Sequence, residues 1–248
     1  MPNLILLRHG QSQWNAENRF TGWHDVDLSQ KGIKEAEAAG KQIGEAGFRP
    51  EKLHTSFLLR AIKTANSVLE ELNLSYIPVE RTWRLNERHY GALQGLNKAE
   101  TAEKYGAEQV KIWRRSFDIP PAPVEYTNIE HPINDPRYKN LDKNTLPSTE
   151  CLKDVVNRLT PYWQDSILRD LYLYETVLVV AHGNSLRALI KILENLSDHD
   201  IVEFDLPTGV PRVYLFDSNH NLLDFKYLGD QEDIEKRAAE VAAQAAKK

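Results

Sequence analysis

The sequence predicts an α/β fold, a three-layer sandwich in which a mostly parallel central sheet is flanked by helices. Short apolar segments of strand length alternate along the chain with longer segments whose apolar residues recur every three or four positions. In addition, two of the apolar segments end in the same His-Gly dipeptide. Because alternating strands and helices usually form a parallel sheet covered on both faces, this order favours the sandwich.

The first half of the chain contains three predicted strands and two predicted helices. Residues 3–7 form a short buried strand, and a helix follows from Ser29, whose hydroxyl suits the N-cap position. Residues 52–55 and 77–81 are strand-like. Between them, residues 58–72 carry one apolar helical stripe, so the β-then-α pattern repeats.

The second half continues the alternation. A long helix is expected over residues 152–167, kinked at Pro161 because proline has no N–H to donate. Residues 176–181 read as a central strand, and a helix begins just after His182-Gly183-Asn184. Residues 212–216 are predicted to be another strand, at an edge of the sheet since a proline stands at its start.

Two further segments determine the domain organisation. Six of the twelve prolines fall within residues 118–147, which we interpret as a long ordered loop of one catalytic domain spanning residues 1–229. A linker between two domains is the alternative, but the strands on either side match a single sheet. Residues 230–248 are charged and then alanine-rich, with helix propensity and almost no large apolar face, so this tail is expected to be mobile.

Composition excludes several classes of protein. With 41% apolar and 27% charged residues the chain is globular, and its apolar runs are too short to cross a bilayer. No signal-peptide pattern opens it, and a single cysteine allows neither an internal disulfide nor a cysteine-based metal site, so we expect a cytoplasmic protein. A net charge of −5 argues against nucleic-acid binding, which requires a basic face. Any anion-binding site must therefore be local.

Two histidines occupy equivalent positions after apolar strands. His9 follows one strand and His182 another, each with a glycine after it, and Arg8 adjoins the first. Parallel strands bring both to the carboxyl edge of the sheet, where α/β proteins bind ligands. A neutral imidazole can attack phosphorus if cations surround the phosphate, and Arg60 after the next strand supplies a second planar guanidinium. The pattern predicts phosphoryl transfer through His9.

The other titratable residues need separate weighing. Glu87 lies among charged and aromatic residues after a strand and is the candidate acid and base, although structural pairing with Arg84 or Arg88 is an equal alternative from the residues alone. Lys98, Arg114 and Arg115 by themselves favour a solvated helix face. For five histidines we expect surface or structural roles; they are His24, His54, His131, His199 and His220.

Five segments together resemble the cofactor-dependent phosphoglycerate mutases of the histidine phosphatase superfamily. The likeness covers almost the full length and is weakest over residues 125–144. The segments are Leu7-Arg8-His9-Gly10-Gln11-Ser12, Phe20-Thr21-Gly22-Trp23, residues 84–91, Trp113-Arg114-Arg115-Ser116 and residues 181–187.

The resemblance implies a function and a role for each matched residue. It implies that His9 is phosphorylated, that Arg8, Arg60 and His182 stabilise the transferring group, and that Glu87 exchanges the proton. It further implies substrate contacts from Arg8, Asn15, Thr21, Gly22, Arg60, Glu87, Tyr90, Lys98, Arg114, Arg115, Gly183 and Asn184. The expected reaction interconverts 3-phosphoglycerate and 2-phosphoglycerate in glycolysis and gluconeogenesis, primed by 2,3-bisphosphoglycerate and without a metal. The tail over residues 230–248 is implied to act as a lid, and we expect a homo-oligomer.

The residues leave four alternative functions to consider. A phosphatase would use the same scaffold, with water attacking the phosphohistidine, but Lys98 and the Arg114-Arg115 pair argue against it. A bisphosphoglycerate synthase matches less well at Ser12 and Gly22. A catalytically silent binding protein is disfavoured by the intact histidines and Glu87. A nucleotide-dependent kinase lacks its glycine-rich phosphate loop.

Overall fold

The computed structural model describes residues 1–243, and its centre is a six-stranded sheet in the order β3-β2-β4-β1-β5-β6. The strands are β1 (Asn3–Arg8), β2 (Lys52–Thr55), β3 (Val79–Arg81), β4 (Thr176–Ala181), β5 (Pro211–Phe216) and β6 (Leu222–Tyr227). The helices are α1 (Gln13–Ala16), α2 (Gln30–Glu45), α3 (Leu59–Glu71), α4 (Lys98–Tyr105), α5 (Ala107–Arg115), α6 (Leu152–Tyr162), α7 (Leu168–Leu173), α8 (Gly183–Glu194), α9 (Asp198–Glu203) and α10 (Gln231–Ala242).

Strands β1 to β4 are parallel to one another, and β5 runs antiparallel to both of its neighbours, β1 and β6. In the centre, β1 and β4 pair in parallel from Asn3 opposite Thr176 to Arg8 opposite Ala181. Strand β2 pairs in parallel with β4 and β3, whereas β5 runs antiparallel to β1. The predicted mostly parallel α/β sheet is therefore confirmed, and the carboxyl ends of β1, β2 and β4 meet at one edge.

Each face of the sheet is covered by helices because successive strand residues point to opposite sides. On one face Leu4 and Leu6 of β1 are buried in the core that includes residues of α6 and α8. On the other face Ile5 and Leu7 are buried with residues of α2 and α3, such as Ile43 and Val68. Residues 4–7 of β1 are all apolar because both faces of this strand are buried.

Two predicted features differ in the structure. The edge position expected for residues 212–216 is wrong, since β5 lies between β1 and β6, and β6 forms the edge. The pattern gave no sign of β6 because four of its six residues are exposed and several are polar. In the long helix, a π-helical turn at Trp163–Ile167 follows directly after Pro161 and separates α6 from α7.

The proline-rich segment 118–147 contains only three short 3₁₀ turns. Its Tyr138 and Leu146 are buried against Trp23 and Trp83, so the loop packs over the segments that carry the predicted site. Within residues 1–243, no helix is both long and apolar enough to cross a membrane.

Candidate active site

His9 and His182 lie next to each other at the carboxyl edge of the sheet. Each follows the last residue of its strand, and the strands are adjacent and in register, with Arg8 opposite Ala181. The His9 N–H donates to the Ala181 carbonyl at 2.9 Å. The two imidazole ring centroids are 4.9 Å apart. Strand pairing thus brings together two side chains that are 173 positions apart in the chain.

The surroundings of His9 fix which ring nitrogen is available as a nucleophile. Its Nδ1 lies 2.7 Å from the Gly10 carbonyl oxygen, which can only accept, so Nδ1 carries the proton. The lone pair is then on Nε2, which accepts from Arg60 Nε at 3.3 Å. Burial, followed by the charges of Arg60 and Arg8, lowers the pKa of His9 well below its ordinary value. His9 is therefore neutral at pH 7, as a nucleophile must be.

His182 is fully buried behind His9 at the start of α8. Its Nε2 lies 2.7 Å from the Ser56 hydroxyl, and its Nδ1 has no hydrogen-bond partner within residues 1–243. Burial, followed by Arg60 and His9, lowers its pKa well below the ordinary value. The residue supports the pocket from behind and does not line it directly.

Two buried guanidinium groups border His9. Arg60 is held at the N-terminal end of α3 by the Gly22 carbonyl at 2.8 Å and the His24 carbonyl at 3.1 Å. Gly22 has a φ of +54°, and a Cβ there would lie 2.1 Å from Gln94 Oε1, so this turn requires glycine. Arg8 donates to the Leu206 carbonyl at 2.7 Å. Fixed in this way, both groups present positive charge beside the Nε2 of His9.

The Glu87 carboxylate is held by α8 and by a backbone N–H, and not by the guanidinium groups of the neighbouring arginines. Its Oε1 accepts from the Arg88 N–H at 2.8 Å, from the Asn184 N–H at 3.1 Å and from Asn184 Nδ2 at 2.9 Å. The Arg84 and Arg88 guanidinium groups instead donate to the carbonyls of Arg158 and Arg114, both at 2.6 Å. Because Oε1 is saturated, Oε2 is the oxygen left for a proton on the pocket side.

Gly183 leaves open the space between Arg8 and Glu87. A Cβ at this position would lie 3.4 Å from the Arg8 Cζ and 3.6 Å from Glu87 Oε2. These are ordinary van der Waals contacts, so a side chain longer than that of alanine would occupy space beside Arg8 and Glu87.

A second group of cations lines the far side of the pocket. Burial, followed by the charges of Arg114 and Arg8, lowers the pKa of Lys98 to about 7. Burial also lowers the pKa of Arg114. Tyr90 also lines the pocket, with its hydroxyl 3.3 Å from Asn184 Nδ2. Burying several cations in one pocket is expensive, which is typical of a site that binds an anion.

All predicted site residues except His182 line this one pocket. Sequence reasoning did not select seven of the lining residues: Arg19, Phe20, Arg187, Phe204, Asp205, Leu206 and Val241. Arg187 stands within a quoted motif, and burial, followed by Arg115 and Arg88, lowers its pKa to about 9. Asp205 had no sequence signal, yet its carboxylate lies 2.6 Å from Arg115 Nη2.

Away from the pocket, His54, Glu80 and Asp170 bring three potential metal-ligand atoms within 4.8 Å of one another. The ammonium of Lys52 lies 3.4 Å from Glu80 Oε2 and 3.6 Å from Asp170 Oδ2. Tyr162 Oη bonds both His54 Nδ1 and Glu80 Oε1, at 2.7 and 2.8 Å. A lysine thus already pairs with both carboxylates of this network.

Comparison with known proteins gives the family. The model of the histidine phosphatase superfamily (branch 1) matches residues 4–132 and 126–228. The 2,3-bisphosphoglycerate-dependent phosphoglycerate mutases of Porphyromonas gingivalis and Elusimicrobium minutum are each 56% identical to this chain over 248 residues, which is the full length of both chains.

A solved structure agrees at the level of the fold. The mycobacterial glucosyl-3-phosphoglycerate phosphatase aligns with 92% of this chain and 97% of its own at a TM-score of 0.69 and 22% identity. The full-length match to the two mutases, together with the paired strand-end histidines, leads to one conclusion: this chain belongs to the histidine phosphatase superfamily, among the 2,3-bisphosphoglycerate-dependent phosphoglycerate mutases.

Proposed function

We propose that the protein interconverts 3-phosphoglycerate and 2-phosphoglycerate through a phosphohistidine at His9, in glycolysis and gluconeogenesis. The observation that carries this proposal is one pocket in which His9 faces seven basic residues and the candidate proton shuttle Glu87. The basic residues are Arg8, Arg19, Arg60, Lys98, Arg114, Arg115 and Arg187. The relatives at 55–56% identity bear the name of this activity.

The proposed chemistry uses His9 and Glu87 in alternation. His9 Nε2 forms a bond to phosphorus while the bond from phosphorus to the substrate oxygen breaks, and Glu87 Oε2 gives a proton to that oxygen. In the second half, Glu87 takes the proton from the accepting hydroxyl, which attacks the phosphohistidine. Arg8 and Arg60 border the transferring group and stabilise its charge, and His182 supports His9 from behind, with the two ring centroids 4.9 Å apart. General acid and base catalysis of this kind contributes about 10²- to 10⁴-fold.

The pocket residues fit 2,3-bisphosphoglycerate as the primer. This trianionic or more highly charged molecule needs cations at both ends, and the pocket has Arg8 and Arg60 beside His9 and Lys98 and Arg114 on the far side. When bound, it supplies the phosphoryl group that is transferred to His9. Asn15, Thr21 and Gly22 contribute polar lining near the entrance to the same space. We propose that no metal takes part, because arginine and lysine provide the positive charge.

Hydrolysis of the phosphohistidine is the competing activity on this fold. A mutase must hold a carboxylate as well as phosphate, so it needs cations beyond those beside the nucleophile. Lys98, Arg114 and Arg115 satisfy this requirement. They favour transfer to a phosphoglycerate over transfer to water.

A coupled assay for conversion of 3-phosphoglycerate tests the proposal. The rate should rise strongly when 2,3-bisphosphoglycerate is added, because an unphosphorylated His9 has no phosphoryl group to transfer. It should be the same in EDTA. No stimulation would contradict the primed mechanism, and a loss in EDTA that manganese or magnesium restores would contradict metal independence.

We propose further that residues 1–229 form one catalytic domain with the loop 118–147 over the site, and that the enzyme is a cytoplasmic homo-oligomer. The edge strand β3 and the exposed Tyr76 beside it offer a surface for a second copy. Size-exclusion chromatography with light scattering tests the oligomeric state.

A further inference from the structure

The segment that carries Glu87 has no regular secondary structure to hold it. Residues 86–90 belong to no helix or strand, and four of these five residues are buried. Buried carbonyl groups nearly always have a hydrogen-bond donor, because leaving one unpaired costs about 1–3 kcal/mol. The donors for this segment therefore determine where the Glu87 carboxylate lies.

One side chain supplies donors both to this segment and to the residues just before it. Arg158 of α6 donates through Nη1 to the Arg84 carbonyl, and to the Trp83 carbonyl at 3.4 Å. Through Nη2 it donates to the carbonyls of Asn86 at 2.9 Å and Glu87 at 3.0 Å. Four carbonyl groups on the N-terminal side of the Glu87 side chain thus converge on a single guanidinium group.

A buried carboxylate fixes the same guanidinium and the other side of the segment. Glu150 Oε1 accepts from Arg158 Nε at 2.6 Å, and Glu150 Oε2 accepts from Nη2 at 3.2 Å. Glu150 Oε2 also accepts from the His89 N–H at 2.8 Å, while the Glu150 N–H donates to the His89 carbonyl at 2.8 Å. The pair therefore holds the backbone on both sides of Glu87.

A buried ion pair is by itself weak evidence for stability, because desolvation offsets most of its attraction. The chain contains a second pair of this kind, Arg212 Nη2 with Glu194 Oε1 at 2.7 Å, whose other hydrogen bonds go to Tyr214. What distinguishes Arg158 is its targets, which are carbonyls of the proton shuttle Glu87 and of residues just before it in the chain.

We infer that Arg158 and Glu150 are positioning residues that set the location of the Glu87 carboxylate for proton transfer. The inference rests on the proposed function. The Glu87 carbonyl receives both Arg158 Nη2 and Trp23 Nε1, the latter at 2.5 Å, so its main chain is fixed from two directions. Loss of the guanidinium fork lets the segment shift, and a displacement of about 1 Å from a productive geometry can cost about 10²-fold in rate.

A double-mutant cycle with Glu87→Gln tests this role. The rate measured is single-turnover phosphorylation of His9 by labelled 2,3-bisphosphoglycerate. Arg158→Lys keeps the charge but cannot reach the carbonyls and Glu150 together. We expect it to lower the rate about 10- to 100-fold in the wild-type background and less than about threefold in the Glu87→Gln background, because a misplaced shuttle matters only when the shuttle is present.

Arg212→Lys is the matched control, since it disturbs a buried arginine–glutamate pair of the same kind away from the pocket. Its effect should be equal in the two backgrounds. Thermal unfolding is followed in parallel, and Glu150→Gln replaces Arg158→Lys if that variant does not fold. An equal loss in both backgrounds, or no loss from Arg158→Lys, would overturn the positioning role. A wild-type rate for Glu87→Gln alone would instead overturn the proposed function of Glu87.

Discussion

At the scale of single residues, the pocket works through the side chains whose ordinary ionisation it changes. His9 is kept neutral by burial and by two neighbouring cations, and its Nδ1 proton is fixed by the Gly10 carbonyl. Lys98 is a second such residue, because burial beside Arg114 lowers its pKa to about 7. The same crowding of positive charge that suits an anionic ligand therefore makes one of the cations titratable near neutrality.

The nucleophile gives the first prediction at this scale. His9→Ala should lower the rate by on the order of 10³-fold or more and abolish an acid-labile, base-stable label from 2,3-bisphosphoglycerate, because no other nitrogen has the same access. Mass spectrometry locates the label. Its appearance on His182 would reverse the assignment of the two histidines.

The titration of Lys98 gives the second prediction at this scale. An anionic substrate binds the protonated amine better, so kcat/KM should fall as the pH rises above about 7, by up to about tenfold per unit. Lys98→Arg keeps its charge and should lack this fall. Because the ionisation of the substrate is common to both proteins, the comparison isolates Lys98, and identical profiles from pH 6.5 to 8.5 would refute its involvement.

At the scale of elements, helix α10 lies against the rest of the protein mainly through charged groups. Only Ile234 of this helix is buried. Arg237 Nη1 lies 3.9 Å from the buried Glu35 and 3.4 Å from the Thr208 carbonyl, and Lys31 Nζ pairs with Glu240 at 2.8 Å. Val241 reaches the pocket. The proposed lid over residues 230–248 thus includes a docked helix, while residues 244–248 lie outside the described part of the chain.

Removal of this helix gives the third prediction. Truncation after Gly229 should lower mutase activity by about tenfold or more, equivalent to about 1.4 kcal/mol in the barrier, and leave His9 phosphorylation and slow hydrolysis largely intact. The reason is that an open pocket exposes the phosphohistidine to water and releases the intermediate. A chain that ends at Ala243 keeps α10 and is the control. If the ratio of mutase to phosphatase activity is the same in the full-length chain and in both truncated chains, the tail is not a lid.

At the scale of the whole molecule, stability depends on histidines that fold in the neutral form. Burial, followed by the nearby cations, lowers the pKa of His9 and His182. Burial also lowers the pKa of His54 to about 4 and of His89 to about 3. In the unfolded chain these groups titrate near pH 6.5, so below that pH the unfolded state binds more protons.

The fourth prediction follows from that difference. The free energy of unfolding should fall as the pH drops from about 6.5 to 5, by up to about 1.4 kcal/mol per pH unit for each such histidine. Urea titrations at the two pH values measure it. His89→Gln should reduce the dependence, whereas replacing the exposed His199 with Gln should leave it as it was. A midpoint that is the same at both pH values would show that these histidines do not control acid stability.

The strands and helices could be predicted because their signals are local. Residues 4–7 of β1 and 177–181 of β4 are uninterrupted apolar segments, since both faces of each strand are buried, and Ser29 marks the start of α2 as its N-cap. Strand β6 could not be predicted in this way because most of its residues are exposed, so its edge position depends on pairing with β5 and not on its own pattern.

By itself, the sequence determined the chemistry available at the ends of β1 and β4. A histidine and a glycine that directly follow an apolar parallel strand must lie at the carboxyl edge of the sheet. Only the tertiary structure decided how those groups are oriented. Three of the contacts that orient them join residues from separate elements. They are the hydrogen bond from Asn184 to Glu87, the hydrogen bonds from Arg158 to residues 83–87 and the ion pair of Asp205 with Arg115. Such contacts are set by how helices pack on the sheet, and no local periodicity records them.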